Sequence, residues 1–143
     1  MTVPEHGSVS LPPPPAVAAR LRTDRNVWLC TLRADGPPHV TPVWFVHLDG
    51  RWWISVGDRA AKARNVRRDP RVSLALEDGD APVVAEGRAR VHADPDRFPP
   101  EVLAAFQERY SYDIRVPYPG IQEESRLLLE VTVDRWLLSG SAQ

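Results

Sequence analysis

From Asn26 onward, apolar and polar residues alternate in short runs broken by turn dipeptides, the period of strands with one buried face. The runs Asn26–Arg33, His39–Leu48 and Arg51–Val56 follow closely, with Asp35-Gly36 and Asp49-Gly50 between them. Asp-Gly between apolar runs is a strong hairpin signal, because both residues tolerate the positive φ of a tight turn. An antiparallel meander is expected. Pro42 interrupts the second run; proline cannot donate to a ladder, so a bulge or a lost strand partner is predicted there. Residues 58–70 then read as a helix that Asp58 caps and Pro70 stops. Two more strands, Arg71–Glu77 and Pro82–Ala93, are joined across 78–81, and the second places Val83, Ala85, Gly87, Ala89 and Val91 on one face. Pro99–Tyr110 is an amphipathic helix with Val102, Leu103 and Phe106 on its apolar side. Tyr112–Ser125, rich in Pro, Tyr and Gly, is an irregular loop, and the chain closes with strands at Arg126–Val133 and Trp136–Leu138. Ahead of all this, Ala16–Arg22 makes a short helix, and residues 1–15, with Leu11-Pro-Pro-Pro-Pro15, form a disordered or polyproline arm. The pattern predicts a mainly β protein: six or seven antiparallel strands in a small barrel, one domain over 16–143.

Composition narrows the function classes. A chain of 143 residues, 43% hydrophobic and 26% charged, fits one ordinary globular domain. The net charge of -1 provides no global field toward nucleic acid or an anionic membrane, and no apolar run reaches a membrane span. No secretory signal pattern is present, and a cytoplasmic protein is expected. Cys30, the single cysteine, lies mid-strand and is expected as a small buried hydrophobe. His6, His39, His47 and His92 show no metal-ligand spacing, and the chain carries no Gly-x-Gly-x-x-Gly, P-loop or nucleophile elbow. Any redox chemistry would belong to a bound cofactor, with no catalytic side chain assigned.

One compositional exception points to a site. Seventeen arginines face a single lysine, Lys62. On a helix, Asp58, Lys62 and Asn65 share a stripe, while Arg64, Arg67, Arg68 and Arg71 follow helical spacing on another. By itself such a run is more often a solvated charged face than a ligand site. The preceding strand end, Trp53-Ile-Ser-Val-Gly57, brings small groups next to the lysine and favours an anion site.

Several segments together resemble the split β-barrel flavin and deazaflavin proteins related to pyridoxamine 5′-phosphate oxidase. They are Asn26–Gly36, Val40-Thr-Pro-Val-Trp-Phe45, Trp53-Ile-Ser-Val56, Lys62-Ala-Arg-Asn65, Asp69-Pro-Arg-Val-Ser-Leu74 and Glu86-Gly-Arg-Ala89. Thr-Pro-Val-Trp and Lys-x-Arg-Asn are most like the actinobacterial branch that uses the deazaflavin coenzyme F420. The resemblance implies an FMN-binding-split-barrel fold and a homodimer with the cofactor between subunits. It implies that Thr41, Pro42, Val43 and Trp44 meet the ring, that Ser55 and Val56 line the ribityl chain, and that Lys62 and Asn65 hold the phosphate. Arg59 and Arg64 are further contacts, and Trp136 is contributed by the second chain.

One departure bears on the cofactor. Relatives that oxidise pyridoxamine phosphate with FMN usually carry Ser-Arg before this lysine, where the present chain has Ala60-Ala61. Losing a hydroxyl and a guanidinium removes two charged hydrogen bonds, each worth about 1.5–3 kcal/mol. F420, with its oligoglutamate tail, suits the arginine stripe better than FMN. The expected activity is F420H2-dependent hydride transfer to a small conjugated or electron-poor molecule, contacted by Trp44, Tyr110, Tyr112 and Tyr118. The alternatives are an FMN-dependent oxidoreductase and a flavin- or tetrapyrrole-binding protein without turnover.

Overall fold

In the computed structural model, which describes residues 9–120 and 125–139, six antiparallel strands close into a barrel. They are β1 (Asn26–Leu32), β2 (Pro38–Leu48), β3 (Arg51–Gly57), β4 (Arg71–Leu76), β5 (Val83–His92) and β6 (Arg126–Ser139). Around the barrel the order is β1-β2-β3-β6-β5-β4, with β4 returning to β1. The expected meander is its first half. Asp49 (φ 55°) and Gly50 (φ 73°) both take positive φ between β2 and β3, the conformation an Asp-Gly hairpin turn requires. No helix among the described residues is long and apolar enough to cross a membrane.

Alternation fills the barrel. Val27 and Leu29 of β1, Phe45 of β2, Trp52 and Ile54 of β3, and Leu129, Val131 and Val133 of β6 are buried in one cluster. Three helices surround it: α1 (Ala18–Thr23), α2 (Ala61–Arg68) and α3 (Pro100–Tyr110). A second apolar cluster lies beneath α3. There Val102, Phe106 and Tyr110 meet Val46, Trp53 and Leu128, the residues that β2, β3 and β6 turn away from the barrel interior. Strands buried on both faces lose the simple alternation and read as continuous apolar runs, as Leu127-Leu-Leu129 does.

The structure corrects several expectations. β6 is one strand rather than two. Its partners jump from Val133 opposite Gly87 to Arg135 opposite Glu86, and from Trp136 opposite Ala85 to Leu138 opposite Val84. Asp134 and Leu137 are therefore the extra residues of two bulges, and a bulge hides continuity from a period-two reading. Asp58 does not cap α2: the cap position is Ala60 without a side-chain bond, because the chain first turns through the Ala60 N–H to Gly57 carbonyl bond (3.2 Å). The Asp58 N–H instead donates to the Ser125 carbonyl at 2.9 Å. Cys30 stands on the outer face of β1, only partly buried, and burial raises its thiol pKa.

The proline-rich arm is also held rather than loose where it is described. Ser10 Oγ donates to the Gly50 carbonyl (2.6 Å) and accepts from the Val133 N–H (2.9 Å). The Leu11 N–H donates to the Val133 carbonyl (2.9 Å), and Trp136 Nε1 donates to the Leu11 carbonyl (3.2 Å). The β6 bulge exposes the backbone groups that make these bonds. Residues 1–8 of the arm and 121–124 of the expected loop lie outside the described residues.

Candidate functional site: a cleft where the barrel splits

β2 and β3 pair only from Phe45–Leu48 to Arg51–Ile54. Beyond that ladder Pro38–Trp44 stays with β1, while Ser55–Gly57 stays with β6. The strand around Pro42 has kept one neighbour and lost the other, as its missing N–H allows. A cleft of about 390 Å3 opens between the diverging strands. That is within the range of roughly 300–1,000 Å3 common for small-molecule sites.

The cleft lining is part aromatic and part cationic. Trp44 and Tyr118 meet edge to face with centroids 5.7 Å apart, and Tyr112 lies 5.5 Å from Tyr118. Ser55, Ala60, Lys62 and Arg126 also line the cleft. Arg126 Nη2 donates to Ser55 Oγ at 2.7 Å, and its guanidinium carbon is 5.9 Å from the Tyr112 ring. Asn26, Pro42, Val43, Val56 and Gly57 complete the described lining, and none of its residues is acidic. Local charge is positive beyond the lining too. Burial first, then Arg33 and Lys62, hold the His39 imidazole below its ordinary pKa.

Six of the eleven residues expected at the cofactor line this cleft: Pro42, Val43, Trp44, Ser55, Val56 and Lys62. Thr41 precedes them with Oγ1 buried and without a hydrogen-bond partner among the described residues. Arg59 and Arg64 are exposed on the outer side of α2, where Arg64 Nη1 donates to the Arg59 carbonyl at 2.7 Å. Asn65 is not brought to the cleft. It is 5% exposed, and its Nδ2 donates to Thr31 Oγ1 at 3.0 Å, tying α2 to β1. Trp136 lies at the far end of β6 from Arg126, packed against Trp52 at 6.1 Å.

Tyr110, expected among the substrate aromatics, is a buried support. Its hydroxyl accepts from the Phe45 N–H (3.1 Å) and shares its proton between the Phe45 and Arg25 carbonyls, each 2.8 Å away. Its ring stacks on Trp44 at 4.5 Å with 10° between planes, and Arg25 lies over both rings. Sequence reasoning missed Asn26 and Arg126. The signal for Arg126 is one guanidinium heading the apolar run Leu127-Leu-Leu129; only the register Gly57 opposite Arg126 shows that it reaches the cleft.

A larger groove of about 540 Å3 crosses the outer wall between Cys30, Ser73 and Arg135. Its arginines are taken up by acids: Arg71 with Asp69 (2.7 Å), Arg88 with Asp134 (3.4 Å) and Arg135 with Glu86 (2.7 Å). None of its described lining residues is aromatic. The split is the better-built site despite its smaller volume.

Comparison with known proteins agrees with this architecture. The profile of the family described as Pyridoxamine 5'-phosphate oxidase matches residues 13–140. The chain belongs to the pyridoxamine 5′-phosphate oxidase family. One member, the F420H(2)-dependent biliverdin reductase of Mycobacterium tuberculosis (strain CDC 1551 / Oshkosh), is 35% identical over 117 residues, covering 80% of this chain and 77% of its own. The likeness to the F420-using branch of the pyridoxamine 5′-phosphate oxidase family rests on this relative. Among solved structures, the Rv2991 protein of Mycobacterium tuberculosis superposes with a TM-score of 0.67 at 29% identity, covering 89% of this chain and 84% of its own. HutZ, the haem storage protein of Vibrio cholerae, reaches a TM-score of 0.71 at 20% identity over 92% of this chain and 98% of its own; at that identity the likeness concerns the fold.

Proposed function

We propose that this protein is an F420H2-dependent reductase that passes a hydride to a small conjugated or electron-poor organic molecule. The observation that carries this reading is a cleft whose lining combines aromatic rings (Trp44, Tyr112, Tyr118) with cationic groups (Lys62, Arg126). A planar ring with a phosphate on a short chain needs both kinds of group. The bound coenzyme supplies the hydride; this chain supplies binding, orientation and exclusion of water. Lys62 holds the phosphate, Ser55 and Val56 border the connecting chain, and Pro42, Val43 and Trp44 border the ring. Arg59 and Arg64 sit outside the cleft, where the acidic tail of F420 would leave it. Tyr118, 43% exposed at the mouth, is the substrate-facing aromatic.

F420 is favoured over FMN because Ala60 and Ala61 add neither hydroxyl nor guanidinium to the phosphate end, and because the 35% identical relative is an F420H(2)-dependent enzyme. A homodimer belongs to the same reading. Trp28 (40% exposed) and Val40 (52% exposed) lie with Pro42 on one outer face of β1 and β2, a continuous apolar surface that begins at the cleft edge. Titration of purified protein with reduced F420 and with FMN, followed by fluorescence and absorbance, tests the cofactor. Tight FMN binding without F420 binding would replace this reading with an FMN-dependent oxidoreductase. F420 binding with no substrate-dependent oxidation would leave a carrier.

A further inference from the structure

We propose that the pocket between α1, β2 and α3 is a second ligand site, apart from the cleft, and that it takes a carboxylate on a medium-length apolar chain. The pocket measures about 420 Å3 and shares no described lining residue with the cleft. Leu21 of α1, Val46 and Leu48 of β2 and Ala105 of α3 give it apolar walls, against which each buried methylene of a ligand gains free energy. Arg22 and Arg109 bring two cations to the lining, and Glu108 is the one acid among its described residues. Arg22 and Glu108 are both exposed and offset each other, so the partly buried Arg109 sets the sign of the ligand's charge.

Arg109 is held in place without being neutralised. Its Nη1 donates to the Leu21 carbonyl (3.0 Å) and the Phe45 carbonyl (3.3 Å), and its guanidinium carbon lies 4.7 Å from the centre of the Phe45 ring. These contacts fix the fork but supply no negative charge. No acid among the described residues pairs with Arg109, and its Nη2 is buried without a hydrogen-bond partner. Burial, the largest cause, lowers its pKa from the ordinary arginine value; Asp24 opposes that shift and Arg25 adds to it. A cation short of both solvent and counter-charge is costly, and a carboxylate supplies the charge and the acceptor together. His47 lines the same pocket, and its Nε2 is also buried and unpartnered among the described residues. A neutral imidazole carries its proton on either nitrogen, so Nε2 can donate to the second carboxylate oxygen.

The test is calorimetric titration of the full-length protein with octanoate, with 1-octanol (same chain, no charge) and with propionate (same charge, short chain). Octanoate is expected to bind saturably, roughly 10-fold or more tighter than either comparison. A105F, whose ring fills the pocket from α3, is expected to remove octanoate and 1-octanol binding alike. R109M is expected to weaken octanoate roughly 10-fold or more while changing 1-octanol less than about twofold, and R109K restores part of that loss. K62A, in the cleft, is expected to bind octanoate as the wild type does. A wild type that binds 1-octanol as tightly as octanoate, or an R109M protein that keeps full octanoate affinity, overturns the carboxylate assignment. Octanoate binding that survives A105F, or that K62A removes, overturns the site. Absence of saturable octanoate binding overturns the proposal as a whole. Should R109M fail to fold, R109K and A105F decide by the same titrations. All of these outcomes are independent of which cofactor the cleft takes.

Discussion

A Cβ placed on Gly87 would lie 2.0 Å from the carbonyl oxygen of Thr132 on the neighbouring strand. β5 and β6 press together here because Asp134 is the first bulge residue of β6, and the bulge drives one backbone into the other. The obstacle is backbone on an interior strand, which cannot swing away as a side-chain tip would. Gly87→Ala is therefore expected to lower stability by about 2–3 kcal/mol or more. Urea unfolding monitored by tryptophan fluorescence checks this; a midpoint within error of wild type would show that the strands separate easily.

Lys62 and Asn65 sit three residues apart on α2 but do different work. Lys62 lines the cleft, whereas the Asn65 amide donates to the buried Thr31 hydroxyl. Lys62→Ala is expected to weaken F420 or FMN about tenfold or more with little change in stability. Asn65→Ala leaves Thr31 without that bond and is expected to cost about 1–2 kcal/mol of stability, with cofactor affinity changed only slightly. Paired ligand titrations and thermal melts separate the two. A large affinity loss in Asn65→Ala at unchanged stability would restore the residue to the phosphate site.

That pair also shows how far the sequence could be read. Helical spacing places Lys62 and Asn65 on one stripe of α2, but the tertiary partner decides which reaches ligand, and Thr31 lies thirty-four residues away from Asn65. The hairpin at Asp49-Gly50 was legible because the turn's φ requirement is local. The split was legible through Pro42, whose missing N–H is a local fact with a global consequence. Asp58 misled because a capping side chain and a turn before the helix look alike in sequence. The joining of β6 through Asp134 and Leu137, the tie of Ser10 to Val133, and the arrival of Arg126 beside Ser55 all depend on register between distant segments.

His47 gives the fold an acid-side weakness. Burial lowers its pKa from 6.5 to about 4, and its Nε2 has no hydrogen-bond partner among the described residues. The folded state holds the ring neutral while the unfolded chain protonates it near 6.5. Between those values the unfolded state binds more protons, so stability falls as pH drops below about 6.5 and the loss levels off near about 4. A shift of that size corresponds to at most about 3 kcal/mol. Urea unfolding of wild type and His47→Leu across that interval checks the claim. The variant should show a flatter profile; parallel profiles would assign the acid sensitivity elsewhere. The lowered pKa of Glu130, due first to its bond with His92, acts only further down, through the carboxylate range.

Tyr110 and Tyr118 flank Trp44 from opposite roles, and substitution should tell them apart. Tyr110 carries three backbone contacts through its hydroxyl and stacks flat on Trp44, so it fixes the platform from behind. Tyr118 meets Trp44 edge-on from the exposed side of the cleft. Tyr110→Phe keeps the stack but strands the Phe45 N–H and two carbonyls, and is expected to cost about 1–3 kcal/mol of stability. Tyr118→Ala should leave stability within about 0.5 kcal/mol, as for an exposed site, yet weaken a planar ligand by about 0.5–1.5 kcal/mol, the worth of one aromatic contact. Melting curves beside titrations with cofactor and planar acceptors read both quantities at once. If Tyr118→Ala destabilised the protein as much as Tyr110→Phe, Tyr118 would belong to the packing beneath the loop, and the aromatic lining of the cleft would reduce to Trp44 and Tyr112.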